Sequence, residues 1–193
     1  MARTTAKFDE HRIDGPFGAV LTPSRIGKKD GVPGISIEWV INLTQAEIAS
    51  FEPNDSVLKL AVKTARRYDG DFSFQHAANR VFVVARDADL LADLRKLVPT
   101  TAAAIIDQSH GRVCLAIEGP RVEDTLSKLF AVDFRASVFK TGTGIATAHH
   151  VIFALIYREN ETRFLLFPHR SFARDFLAAI IKAGTEYGVE IEG

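Results

Sequence analysis

The sequence predicts an α+β fold, a ferredoxin-like sandwich in which antiparallel sheets carry helices on one face. Two strand–helix–strand units, each coupled to a hairpin, follow one another along the 193 residues. The strands Ala103–Ile106 and Arg112–Ile117 are joined by a loop too short for a parallel connection, which needs roughly a dozen residues or more. An antiparallel arrangement is therefore favoured over a doubly wound parallel sheet.

Residues 1–34 are predicted to form an extended N-terminal arm. Turn-forming pairs such as Gly15-Pro16 and Thr22-Pro23 interrupt a segment that has few periodic apolar residues. Residues 35–193 are predicted to fold as a single α+β domain.

The first part of this domain is predicted to contain two strands and a short helix. Apolar residues alternate with more polar ones over Ile35–Val40, which indicates a strand. The sequence T-Q-A-E at Thr44–Glu47 matches a capping box and predicts a short helix over Ile48–Phe51. A second strand is predicted over Val57–Val62, and the polar stretch Arg66–Asn79 is interpreted as a connection.

The strand–turn–helix pattern then repeats to the C-terminus. The β-branched run Arg80–Ala85 predicts a buried strand, and the leucines after Asp89 predict a helix that ends at Pro99. The other predicted elements are strands over Ala103–Ile106, Arg112–Ile117, Thr147–Tyr157, Arg163–Phe167 and Val189–Ile191, and helices over Pro120–Phe130 and Phe172–Ile181. The first two of these strands, and then the next two, are predicted to pair as hairpins.

Bulk composition excludes several classes of partner and site. Lys and Arg together number 24, as do Asp and Glu, so the net charge of zero argues against nucleic-acid and acidic-membrane partners. The one cysteine, Cys114, excludes an internal disulfide. Met1–His11 has no apolar core of a secretion signal, and no apolar run approaches the roughly 20 residues that span a bilayer. A cytoplasmic location is therefore predicted.

Three segments hold residue types that are common in active sites. Asp107–His110 contains Asp, Ser and His, but their closeness favours a turn stabilised by side-chain bonds over a nucleophilic triad. His149 and His150 would point to opposite faces of a strand, which argues against a shared metal. Thr141–Gly144 lacks the third glycine and the lysine of a nucleotide-binding loop, so a flexible turn is favoured. No catalytic, cofactor or metal residue is predicted.

A stripe of basic residues surrounds the last hairpin and the start of the last helix. We weigh three interpretations of it: a solvated face, a docking surface for an acidic patch on a larger partner, and an anion site at the helix start. The candidate partner interface consists of Arg158, Arg163, His169, Arg170 and Arg174.

Three motifs in a fixed order carry a family resemblance. D-x-S-H-G-R begins at Asp107, G-P-R begins at Gly119, and F-P-x-R-S-F-A begins at Phe167. Together they resemble the gamma subunit of bacterial heterotetrameric sarcosine oxidase, which is related to the folate-binding aminomethyltransferase domain. The resemblance covers Asn79–Gly193, and it implies an aminomethyltransferase-like sandwich.

The resemblance also implies a function. The chain would be a small, cofactor-free subunit that braces the large subunit, inactive alone, in a complex that oxidatively demethylates sarcosine to glycine. Its partners would be the large alpha, beta and delta subunits, and the flavins, NAD and folate would lie on the alpha and beta subunits. The folate-binding relatives use a carboxylate that Thr141–Tyr157 lacks. The alternatives are a stand-alone tetrahydrofolate-binding aminomethyltransferase-like protein and a small ligand-sensing domain.

Overall fold

The computed structural model describes residues 16–17, 23–28, 30–52, 55–65, 70–86 and 89–192. Within these residues the chain forms strands β1 (Ser24–Ile26), β2 (Ile35–Val40), β3 (Thr44–Ser50), β4 (Phe72–Ala77), β5 (Arg80–Ala85), β6 (Ala103–Asp107), β7 (Cys114–Glu118), β8 (Gly144–His149), β9 (Ile152–Arg158), β10 (Arg163–Pro168) and β11 (Val189–Ile191). The helices are α1 (Asp55–Ala65), α2 (Leu90–Leu97), α3 (Val122–Ser127) and α4 (Ala173–Gly184).

The strands form two sheets. The larger sheet has the order β1-β11-β2-β7-β10-β9-β8, and the smaller has the order β4-β5-β3-β6. β2 and β11 are parallel, whereas the other pairs of described strands are antiparallel. The predicted α+β class is therefore confirmed, with one parallel pair that the sequence did not indicate.

The smaller sheet is a complete ferredoxin-like unit. Its chain order is β3-α1-β4-β5-α2-β6, and its outer strands flank the central pair β5 and β3. The larger sheet repeats this plan with β7, α3, β9, β10, α4 and β11. In that sheet β2 is inserted between β11 and β7, and β8 is added at the edge beyond β9.

The two sheets pack face to face, and helices cover their outer faces. α1 and α2 pack on the smaller sheet, and α3 and α4 pack on the larger one. Aromatic side chains fill the layer between the sheets: Phe72 stacks on Tyr157 with ring centroids 4.1 Å apart, and Phe82 lies edge-on to Phe167 at 5.2 Å. Each sheet thus has its helices on one face, as predicted.

The described part of the N-terminal segment contacts the rest of the chain. Phe17 is buried with its ring edge-on to Trp39 at 5.4 Å, and β1 pairs with β11 at the edge of the larger sheet. Much of the predicted arm, including residues 1–15, lies outside the described residues. The domain division at residue 34 stays a prediction.

Two local predictions in the first half are wrong. The predicted helix Ile48–Phe51 is absent: its first three residues belong to β3 and Phe51 follows the strand, because the capping-box pattern lies in a strand whose polar and apolar faces are both buried. The predicted strand Val57–Val62 belongs to α1, in which Val57, Leu58 and Ala61 are buried at helical spacing. A window of six residues, five of them apolar, was too short to separate the helical period from the strand period.

Three connections also differ from the prediction. The polar stretch Arg66–Asn79 contains β4. β6 and β7 do not form a hairpin, because the loop between them carries the chain from the smaller sheet to the larger. Thr147–Tyr157 is not one strand but the end of β8, a turn and most of β9; the predicted hairpin is present as β9 and β10, and β8 extends it to a three-stranded meander.

Leu126 tests the packing of α3. Its side chain is fully buried in the layer between the larger sheet and its helices. Leu126→Ala is expected to lower the free energy of unfolding by about 3 kcal/mol, through lost burial and a residual cavity. Ser127→Ala, at the next and exposed position, is the control and should change it by less than about 0.5 kcal/mol. Equal midpoints in urea denaturation would contradict this packing.

Candidate functional site

Two of the sequence motifs meet in space at one end of the layer between the sheets. Arg112 forms an isolated antiparallel bridge with His169. The Arg170 backbone N–H donates to the Gly111 carbonyl at 2.9 Å, and Arg112 Nη1 donates to the Phe167 carbonyl at 2.8 Å. We call residues 107–112 and 167–172 the motif junction. The sequence did not indicate this contact, because the motifs lie about 60 residues apart.

The Asp107–His110 turn is held by its own polar groups. The Ser109 N–H donates to Asp107 Oδ1 at 2.9 Å, and the Ser109 Oγ accepts the Gln45 N–H at 3.0 Å. The bond from the Ser109 N–H lowers the pKa of Asp107. This arrangement is the turn stabilised by side-chain bonds that the sequence favoured over a triad, and it ties the turn to β3.

A buried carboxylate lies beside the motif junction. Glu47, in the middle of β3, is 4% exposed and pairs with Arg80, and its Oε2 lies 3.8 Å from His76 Nε2. Burial lowers the pKa of His76, and Glu47 opposes this effect. The T-Q-A-E pattern predicted a helix cap at Glu47, but the residue lies in a central strand of the smaller sheet, a position that depends on the strand order.

Arg112 connects this polar cluster to the surface. Burial lowers the pKa of its guanidinium, whereas Glu47 raises it. The same guanidinium lies 5.7 Å from the centre of the Phe153 ring, which is also 6.4 Å from the His169 ring. Burial, and next Arg112, lower the pKa of His169, so the imidazole is favoured in its neutral form.

Two strand residues and two residues that flank β7 and β10 form a row at the edge of one face of the larger sheet. Ala148 pairs with Phe153, and Arg112 pairs with His169. We call Ala148, Phe153, His169 and Arg112 the Phe153 row. It follows a row on the same sheet face that includes Ala146, Leu155, Phe167 and Cys114, which packs against the smaller sheet. Phe153 itself is 41% exposed, so the smaller sheet leaves this end of the row uncovered.

Arg158 was predicted to lie in the surface stripe, and this placement is wrong. The side chain is 1% exposed and sits over the Phe164 ring at 4.9 Å. Its guanidinium pairs with Glu123 at 2.7 Å and donates to four backbone carbonyls, those of Phe134, Phe139, Asn160 and Glu161. Arg158 therefore joins several segments of the chain by hydrogen bonds and is not a docking residue.

The other four basic residues of the stripe lie in different environments. Arg163 is half-buried and pairs with Glu38, Glu118 and Glu159; these bonds outweigh burial and raise its pKa. His169 belongs to the Phe153 row. Arg170 and Arg174 are exposed and form no ion pair with the described residues. Only the latter three remain candidates for a partner surface.

A groove lies at the C-terminal ends of α3 and α4. This groove has a volume of about 600 Å³ and is lined in part by Lys128, His149, His150 and Glu186. The two imidazole centroids are 4.3 Å apart, so the predicted opposite orientation is wrong: His149 ends β8, and His150 turns the chain with a φ of 52°. Even so, no group of three or more potential metal ligands occurs within the described residues.

No family model matches the sequence, and no curated protein matches it. None of the helices in the described ranges has the length and apolar character needed to cross a membrane.

The fold, in contrast, matches solved structures. A chain of heterotetrameric sarcosine oxidase from Corynebacterium sp. U-96, solved in complex with pyrrole 2-carboxylate, superposes with a TM-score of 0.72 and 21% identity, over 82% of this chain and 87% of that chain. The glycine cleavage system aminomethyltransferase T from Bartonella henselae superposes with a TM-score of 0.55 and 16% identity. That match covers 77% of this chain but 46% of the aminomethyltransferase, so this chain spans less than half of it. The chain therefore has the fold of a chain of heterotetrameric sarcosine oxidase, as its motifs predicted.

Proposed function

We propose that this chain is the small gamma-type subunit of a cytoplasmic heterotetrameric sarcosine oxidase complex and that it braces the large subunit. The observation that carries this proposal is the mutual coverage of the structural match: 82% of this chain corresponds to 87% of a chain of about the same length in such a complex. A domain within a larger enzyme would match only part of a longer chain. The order of the three motifs supports the same assignment.

In this proposal the chain acts through its surface rather than through chemistry. The motif junction bonds to its own backbone, and Ser109 has no imidazole partner among its hydrogen bonds. The flavins, NAD and folate would lie on the alpha and beta subunits. Around the position where the folate-binding relatives are expected to place a carboxylate, this chain has the exposed Phe153 and the buried Ala154.

The alternative is a stand-alone tetrahydrofolate-binding protein, and it is favoured by the match to aminomethyltransferase T. A titration of the purified chain with tetrahydrofolate separates the two. Weak or absent binding is expected, since ligand N–H groups left without a carboxylate cost roughly 1–3 kcal/mol each. Micromolar affinity by calorimetry would favour the alternative.

Co-expression tests the proposed assembly. The intact chain, produced together with the large subunit encoded with it, is expected to co-purify in one complex through gel filtration. Purified alone, the chain is expected to be colourless and not to oxidise sarcosine. A well-behaved monomer that fails to bind the large subunit, or turnover by the isolated chain, would contradict the proposal.

A further inference from the structure

The uncovered end of the layer between the sheets has the composition of a protein contact. Phe153 and Ala148 are exposed there, although residues two positions along on the same strands face the smaller sheet. Phe172, in the turn that follows His169, is also exposed. An exposed aromatic residue on a sheet face that is otherwise buried is typical of an interaction site.

Two neighbouring side chains, Arg112 and His169, restrict the exposed Phe153 ring. The Arg112 guanidinium lies 5.7 Å from its centre and is itself fixed by its bond to the Phe167 carbonyl. The His169 ring approaches Phe153 from the neighbouring strand at 6.4 Å. A fixed aromatic side chain loses little conformational entropy on binding, which is a property of energetically dominant interface residues.

The charges around this surface favour an acidic occupant. Arg170 lies next to His169 in the chain, Arg174 follows one helical turn later, and neither is neutralised by an ion pair with the described residues. Glu47, the buried carboxylate beside the junction, is already paired with Arg80. The exposed carboxylates Asp107 and Asp175 offset part of the positive charge of Arg112, Arg170 and Arg174, and the remaining local surplus is positive on a chain whose total charge is zero.

We propose that the Phe153 row, together with Arg170 and Arg174, is the surface on which the large subunit docks, and that its occupant is an acidic segment of that subunit which places an apolar side chain against Phe153. This inference rests on the proposed function, and it adds the location and the chemistry of the contact. The proposed surface does not include Arg158 and Arg163, because their guanidinium groups form ion pairs within the chain.

The test measures binding of the large subunit to the full chain by surface plasmon resonance. Phe153→Ala is expected to raise the dissociation constant roughly thirtyfold, as for a dominant interface residue. Phe51→Ala is the matched control, because Phe51 is 61% exposed at the end of β3 in the smaller sheet, and it should leave the constant unchanged.

Two further variants remove the ambiguity of a folding defect. Ala148→Glu adds charge and bulk at an exposed position without deleting a contact, and it should weaken binding at least tenfold. The double variant Arg170→Glu/Arg174→Glu should slow association about tenfold and reduce its dependence on salt, whereas Lys140→Glu, at an exposed position before β8, should not. Melting temperatures of all variants should stay close to that of the wild type.

The outcomes separate the two proposals. Wild-type binding with unchanged constants for Phe153→Ala and Ala148→Glu would overturn the docking surface while leaving the proposed function in place. Absence of binding by the wild type would overturn the proposed function, and with it this inference. Equal losses in the Phe51→Ala control would also overturn the docking surface, because the contact would then have another location.

Discussion

Arg158→Ala is expected to destabilise the chain by roughly 3–5 kcal/mol, the range found when one partner of a buried ion pair is removed. The change would leave Glu123 without its partner and would deprive the carbonyls of Phe134 and Phe139, 2.8 and 3.2 Å from Nη1, of a donor. It would also remove a large side chain from the Phe164 ring. Urea denaturation followed by the fluorescence of Trp39 measures the loss.

A matched control distinguishes burial from charge. Arg174→Ala also removes one arginine, but from an exposed position without an ion pair to any described residue, and it should change stability by less than about 0.5 kcal/mol. Arg158→Lys should recover only part of the loss, because an ammonium group cannot reach carbonyls in several directions as a planar guanidinium does. Indistinguishable urea midpoints for Arg158→Ala and Arg174→Ala would show that the buried hydrogen bonds and ion pair of Arg158 do not stabilise the fold.

The helices and strands that the sequence predicted best are those whose apolar residues either recur at helical spacing or form one unbroken run. α4 was recognised because Phe176, Leu177 and Ile180 recur at helical spacing, and these residues are buried against the larger sheet. β5 was recognised from its continuous β-branched run. For β3 the same reasoning failed, because a strand between two layers buries polar residues such as Glu47 on one face and apolar residues on the other.

The candidate site was predictable only in part. The motifs at Asp107 and Phe167 were recognised along the chain, but their contact depends on β7 and β10 being neighbours in the larger sheet. His169 and Arg170 kept their assignment to a surface, whereas Arg158 did not. A sequence shows that an arginine follows a strand; it does not show which carbonyls surround the guanidinium. The exposure of Phe153 depends likewise on where the smaller sheet ends.

The second motif, G-P-R, depends on a close approach between backbones. Gly119 has a φ of 143°, a conformation that other residues rarely adopt. A Cβ at this position would overlap the Gly34 carbonyl oxygen and would lie 2.9 Å from the Ile35 Cα. The same segment is fixed by the Arg121 N–H, which donates to the Gly34 carbonyl at 3.0 Å. Gly119 thus lets the end of β7 and the start of α3 pack on the start of β2.

Gly119→Ala is therefore expected to destabilise the chain by about 4 kcal/mol, from backbone strain of roughly 1–3 kcal/mol together with an overpacking cost of similar size. Gly142→Ala is the matched control, since Gly142 also has a positive φ, of 80°, but no atom lies within 4 Å of the added Cβ. It should cost only the strain of a left-handed residue, about 1–2 kcal/mol. Equal urea midpoints for the two variants would mean that positive φ alone, and not the approach of β7 to β2, requires glycine in this motif.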